Sequence, residues 1–258
     1  MRPIFTVVND DGYSAQITAQ MTAAGIEAPA DQIVADGRLH RFASTPGRNA
    51  LTGWYIVHLD AIAPVWSFGD WRLGIKERHE GDPGRALNAT EVAERRERLR
   101  AMRDKIAAEE ARFHAGAAIE ARQRWDRCPP APAEHPYLRT KQIDPCGARV
   151  DGENLLVPMR DIDGKLWSLQ EIGPDGFKRN QEGGRRKGCF FLIGEVGDAL
   201  CIGEGFSTCA TLHMATGHAV AAAGDAGNLE CVAVALRKKY PAATIIVCAD
   251  VSALANGC

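Results

Sequence analysis

No apolar run in this chain approaches the roughly 20 residues that a membrane-spanning helix needs. The N-terminus, Met1-Arg-Pro-Ile-Phe5, has neither the apolar core nor the small-residue cleavage site of a secretory signal. Its eight cysteines form no C-x-x-C pair. Cys209 and His213 stand one helical turn apart, but no second close pair completes a four-ligand zinc set. Cys201, Cys209, Cys231 and Cys248 fall in apolar patterns, where a thiol behaves as a small buried hydrophobe. These absences argue against a membrane protein, a disulfide scaffold and a zinc module. The expectation is a cytoplasmic protein with free thiols and no zinc. An excess of one charge sign is also lacking. A net charge of −2 leaves any nucleic-acid partner to be decided by local patches.

What is present is ordinary globular material: 258 residues, 45% hydrophobic and 25% charged, enough for one large domain or two small ones. Residues 1–84 mix strands, turns and one helix. Ser14–Ala24 has helical spacing and ends at Gly25. Asp36-Gly37 marks a turn before Arg38–Phe42, which alternates as a half-buried strand does, and Trp54–His58 reads as another strand. From Asn88 to Arg127 the chain reads as one long helix, with Leu99, Met102, Ile106 and Phe113 as a thin apolar stripe. Two readings of its many arginines stand: an exposed helix laced with i,i+4 ion pairs, or a basic face that meets phosphates. The proline-rich segment from Cys128 to Pro136 reads as a stiff linker. Residues 137–198 read as a β-meander with strands at Leu155–Met159, Leu166–Ile172 and Cys189–Ile193.

Residues 199–258 form the most regular stretch. Apolar runs at Ala199–Gly203, His218–Ala223 and Thr244–Cys248 alternate with helices Phe206–Thr216 and Asn228–Tyr240, the second capped by Asn228 and presenting Val232, Val234 and Leu236 to the sheet. Two β-α-β crossovers in sequence imply a parallel sheet. Ligands bind outside the carboxyl ends of such strands. Glu204 and Asp250 stand at two of those ends. Carboxylates there suit a divalent cation, and also suit a helix cap or a plain surface charge. Asp225 follows a third strand, at the metal or merely in a loop. Two basic clusters lie upstream, Lys178-Arg179 and Arg185-Arg186-Lys187, beside a Gly183-Gly184 pair. They read either as a solvated hairpin or as phosphate contacts. Trp167, Phe177 and Phe190 are the stacking candidates near them, though Trp167 and Phe190 alternate with strand neighbours and equally suit the core.

The segments Cys201-Ile-Gly-Glu-Gly-Phe-Ser-Thr208, Gly224-Asp-Ala-Gly-Asn-Leu229 and Ile245-Ile-Val-Cys-Ala-Asp250 resemble the Toprim domain of plasmid- and phage-type DNA primases. Upstream, His135–Arg139, Leu155–Gly164, Leu166–Gln170 and Gly183–Gly188 are similar to the segment preceding Toprim in mobile-element primases. Ala35–Phe42 and Phe68–Arg72 resemble their leading domain, where His40 and Arg41 are candidates to touch nucleic acid or are structural or solvated residues of an alternating strand. The fold implied is α+β followed by α/β: a zinc-free N-terminal domain, a long connecting helix, and a β-rich subdomain running into a partial Toprim-like parallel sheet.

By the same resemblance, Glu204 matches the Glu that ends the first Toprim strand. Asp250 matches the first acid of an Asp-x-Asp pair, and Ser252 stands where the second is expected. The implied chemistry is Mg²⁺- or Mn²⁺-dependent nucleotidyl transfer that makes RNA primers on single-stranded DNA. Catalysis and metal binding fall to Glu204 and Asp250. Template or nucleoside triphosphate falls to Lys178, Arg179, Arg185, Arg186 and Lys187. Only Val251–Cys258 follow Asp250, so a fragment of a longer primase or primase-helicase is one expectation and a naturally short chain the other. A helicase domain or a second copy of the chain at an open sheet edge are the implied partners. The alternatives are a catalytically incomplete Toprim module that binds nucleic acid or a partner, and a Toprim nuclease.

Overall fold

The computed structural model describes residues 10–45, 51–59, 64–81 and 85–248. The chain divides into two compact units, Met1–Arg112 and Phe113–Cys258. The division falls inside the long helix rather than in a loop.

The first unit opens with α1 (Asp10–Ala23), which starts earlier than its apolar spacing indicates. Ile17 and Met21, four residues apart, are fully buried. The helix stops at Gly25, whose φ of +78° lets Ile26 N–H donate to the Met21 carbonyl. Four antiparallel strands follow in spatial order: β1 (His40–Phe42), β2 (Gly53–His58), β3 (Val65–Asp70) and β4 (Ile75–Glu80). The expected strand from Arg38 begins two residues later. The Asp36 carboxylate accepts from Arg38 N–H and holds the chain in its turn. β2 and β3 are buried along nearly their whole length, and Tyr55, Trp66 and Phe68 join Ile17 and Met21 of α1 in one core. β4 alternates between half-buried and exposed positions and forms an edge of the sheet.

Helix α2 (Ala89–Arg127) runs for 39 residues. The Asn88 side chain caps it by accepting from Glu91 N–H, and the Glu91 carboxylate accepts in return from Asn88 N–H. No helix among the described residues is long and apolar enough to cross a membrane.

In the second unit the proline-rich segment is not a free linker. Ala131 N–H donates to Ala148 O, and Pro129 O accepts from Val150 N–H. Proline lacks a donor but keeps its carbonyl, so the segment pairs alongside β5 (Arg149–Asp151). Between them, α3 (Pro136–Lys141) is capped by His135, whose Nδ1 accepts from Tyr137 N–H. The antiparallel sheet continues through β6 (Asn154–Arg160), β7 (Leu166–Ile172) and β8 (Lys178–Asn180). The last strand assigned to the meander belongs elsewhere. β9 (Phe191–Ile193) joins the second sheet, antiparallel to one of its inner strands.

That second sheet contains β10 (Ala199–Gly203), β11 (Ala219–Ala222) and β12 (Thr244–Val247), linked by α4 (Phe206–Thr216) and α5 (Leu229–Lys239). Its order is β12-β10-β11-β9, and β10 pairs in parallel with both β11 and β12. Alternation along the strands serves two cores. Leu200, Ile202, Ala219 and Ala221 face Val232 and Leu236 of α5. Cys201, Val220 and Ala222 join Phe206 and Cys209 of α4. Burial on both faces explains why β10 reads as an unbroken apolar run. Gly203 permits the close approach of α4, since a Cβ there would stand 2.7 Å from Cys209 Sγ. One apolar assignment fails. Val234 is 65% exposed because it lies on the far side of α5.

Candidate active site

Glu204 follows β10 directly and is half-buried, with Gly205 starting α4 behind it. Backbone pairing continues beyond the assigned strands. Gly203 O accepts from Ala223 N–H at 2.9 Å, and Glu204 O accepts from Gly224 N–H at 2.8 Å. Glu204 is thereby fixed beside the loop that carries Asp225. Gly224 holds φ +86°, and a Cβ there would lie 3.0 Å from Met159 Cε, so the loop runs close over β6. On the other flank, Cys248 N–H donates to Ile202 O and carries β12 toward Asp250. Asp250 and Ser252 lie outside the described residues. The Glu204 carboxylate has no hydrogen-bond or ion-pair partner among the described residues.

The five basic residues separate by what they touch. Lys178 comes from β8 and places its Nζ 3.4 Å from where a Gly205 Cβ would stand, at the start of α4. Arg179 is exposed but donates to Glu171 at 2.8 Å. Glu171 is buried and also accepts from Arg124 at 2.5 Å. Burial works to raise its pKa, but the hydrogen bonds from Arg124 and Arg179 outweigh it and hold the carboxyl below its usual range. Arg185 lies over the Trp167 ring at 4.7 Å and donates to Lys187 O. Arg186 pairs with Asp225 at 3.5 Å. Lys187 is exposed and has no side-chain partner among the described residues.

The stacking candidates sort similarly. Phe190 is buried in the core. The Trp167 ring already carries Arg185 and Lys165, and its Nε1–H donates to Asp161 at 2.6 Å. Phe177 is 70% exposed and remains accessible to a base.

Asn228 does not cap α5, as its position before the helix suggests. Its side chain is buried and turned into the loop that carries Arg185–Lys187. Oδ1 accepts from Gly188 N–H at 2.7 Å. Nδ2 lies within hydrogen-bond distance of the carbonyls of Arg186, Cys189 and Ala223. This clamp positions the basic loop against the end of β11, and sequence reasoning missed it. The available signal was a polar residue between two glycine-bearing loops.

His40 and Arg41 belong to the first unit. His40 pairs with Asp36 at 2.8 Å and stacks on Tyr55, with ring centroids 5.0 Å apart. Arg41 donates to Leu51 O and lies over Trp71. Both side chains are engaged within the unit.

A half-buried carboxylate at a parallel strand end, without a partner among the described residues, and an ammonium at the start of the next helix suit an anionic ligand that brings its own cation. The chain is similar to DNA primase TraC of Escherichia coli. Identity is 34% over 227 residues, covering 84% of this chain and 21% of the relative. A second Escherichia coli protein of that name is 34% identical over 241 residues, covering 88% of this chain and 16% of its own length. The chain thus spans about a fifth or less of these curated relatives. No family model and no solved structure matches it.

Proposed function

We propose that the chain supplies a primase-type active site for Mg²⁺- or Mn²⁺-dependent synthesis of RNA primers on single-stranded DNA, in a plasmid or other mobile-element replication system. The observation that carries this reading is the Glu204 carboxylate at the end of β10, without a partner among the described residues, with Lys178 Nζ at the start of the helix that follows. The 34% identity to DNA primase TraC supports the same chemistry.

The donor set fits the cation. Mg²⁺ takes hard oxygen ligands and is commonly held by one or two carboxylates plus substrate phosphates. In this reading Glu204 supplies one carboxylate and Asp250 the other. A bound divalent ion would polarise the α-phosphate and lower the pKa of the attacking hydroxyl. Lys178 neutralises phosphate charge at the start of α4, where the helix dipole also favours an anion. Lys187 extends the positive surface, with Arg186 held in place by Asp225. The template strand and nucleoside triphosphate are the partners. The edge of β12, where Ile246 and Val247 are exposed, is a docking place for a second copy, a helicase domain or further chain.

The test is primer synthesis on single-stranded DNA with labelled ribonucleotides. Wild-type protein with Mg²⁺ is expected to make short products, and Glu204→Gln is expected to lose at least about two orders of magnitude in rate. Absence of product from folded wild-type protein, or undiminished product from Glu204→Gln, refutes the reading. Strand nicking without nucleotides would assign the site to a nuclease instead.

A further inference from the structure

The arginines of α2 are not all explained by ion pairs along the helix. Arg100 has Glu97 and Asp104 within helical reach, and Arg98 has Glu94. Arg96 and Arg103 have no acid at i±3 or i±4: those positions hold Val92, Ala93, Leu99, Arg100, Ile106 and Ala107. Both arginines are exposed, and neither has an ion-pair partner among the described residues. Their seven-residue spacing puts them on one face of the helix.

That face meets β4. Glu80 on the strand pairs with Arg95 and, at 3.6 Å, with Arg78, while Lys76 pairs with Glu110 at 3.6 Å. Strand and helix line an open cleft of about 300 Å³. Among the described residues, its walls carry Arg78, Arg95, Arg96 and Arg103 against the carboxylate of Glu80. The buried Nε–H of Arg95 has no acceptor among the described residues. Val92, 47% exposed, and Leu99 give the cleft an apolar strip between the cations. Among the described residues four guanidiniums face one acid; like charges so gathered repel one another and weaken the fold, so their gathering is not a device for stability. Glu94, Glu97 and Asp104 fall on other sides of the helix and do not offset them.

We propose that this cleft binds the phosphodiester backbone of a single-stranded nucleic acid. Guanidiniums offer forked donors that match phosphate oxygens. A flexible strand fits a narrow cleft and lays sugar or base carbon on Val92 and Leu99. Nothing in this inference depends on the reading of Glu204.

The test is fluorescence anisotropy of the whole chain with a labelled single strand of about 20 nucleotides, in EDTA, across a salt series. Arg96→Ala/Arg103→Ala removes the two unpaired cations. Two lost phosphate contacts lower the magnitude of the log–log salt slope by about 1.4 and weaken binding about 20-fold near 0.1 M salt. Arg112→Ala/Arg122→Ala removes equal charge from exposed sites elsewhere on the helix, and is expected to match wild type. Circular dichroism checks that both variants keep their helix. Unchanged binding by the cleft variant overturns the proposal. So does an equal loss in the control variant, or competition by polyglutamate as strong as that by unlabelled oligonucleotide, which would make the cleft a site for acidic peptide.

Discussion

Asn228→Ala should loosen the basic loop and destabilise the second unit, by an amount set by four contacts. The wild-type side chain accepts from Gly188 N–H, and its amide lies within reach of the carbonyls of Arg186, Cys189 and Ala223. At 4% exposure, water replaces few of these partners. An unsatisfied buried polar group costs about 1–3 kcal/mol, so a total of about 3 kcal/mol is expected once the loop relaxes. With a urea slope of about 2 kcal/mol/M, the midpoint for the second unit falls by about 1.5 M. Hydrogen exchange of β9 and β11 during the titration reports that unit separately from the first. Asn228→Asp sharpens the test. It keeps the shape but sets an acceptor against carbonyls, so at neutral pH it should be at least as damaging as alanine. Acidification protonates the new carboxyl and restores a donor, so its deficit relative to wild type should shrink as pH falls. An unchanged midpoint in Asn228→Ala, or an Asp variant indifferent to pH, refutes the clamp.

Asp70 is the corresponding polar anchor of the first unit. It is fully buried and accepts from Ser44 Oγ, from Thr52 Oγ1 at 2.8 Å and from Leu73 N–H at 2.7 Å. Burial opposes its ionisation, yet these hydrogen bonds hold the carboxyl below 3.8. A depressed carboxyl pKa means that the unfolded state binds the proton more tightly. Asp70 therefore stabilises above the unfolded pKa and loses that contribution as pH falls through the folded one. Asp70→Asn should cost about 3 kcal/mol at neutral pH and flatten the acid limb of urea-midpoint measurements; an acid limb as steep as wild type counts against it. Burial pushes the Cys209 thiol up to about 12 and that of Cys189 up to about 11. Alkylation near pH 8, followed by peptide mass spectrometry, should find both protected until urea unfolds the second unit. Rapid labelling in native buffer would contradict that burial.

The parallel unit was the most legible part of the chain. β10 reads as a strand because five apolar residues lie between an acidic loop and Glu204-Gly205, and burial on both faces demands such a run. α4 ends where Gly217 supplies a left-handed C-cap. The β4 strand was not legible. Its outward positions are Lys76, Arg78 and Glu80, so it carries little of the apolar signal by which strands are found. β5 and β8, three residues each, are too short to show a period. Asn228 illustrates a deeper limit. Residue type and position both suit a helix cap, and only the return of the loop from Arg186 to Cys189 gives its amide something better to bind. At the candidate site, the sequence placed Glu204 at a strand end. It could not show that Lys178 reaches the start of α4 from the other sheet.

The split among the basic residues bears on how any phosphate ligand is held. Arg179 and Glu171 form one network with Arg124 and Asp151. To recruit Arg179, a ligand must draw it from a buried carboxylate and leave Glu171 with Arg124 alone. Removing one partner from a buried ion pair costs about 3–5 kcal/mol, and less here because Arg179 is largely exposed and Arg124 remains. Arg186 has a weaker tie, a partly exposed contact to Asp225 that a phosphate can replace at little cost. Among the described residues, Lys178 and Lys187 have no ion pair to give up. Phosphate contacts in the second unit should therefore fall first on Lys178 and Lys187, then on Arg186. Arg179 serves mainly to keep β8 on β7, and through β8 to keep Lys178 at the start of α4.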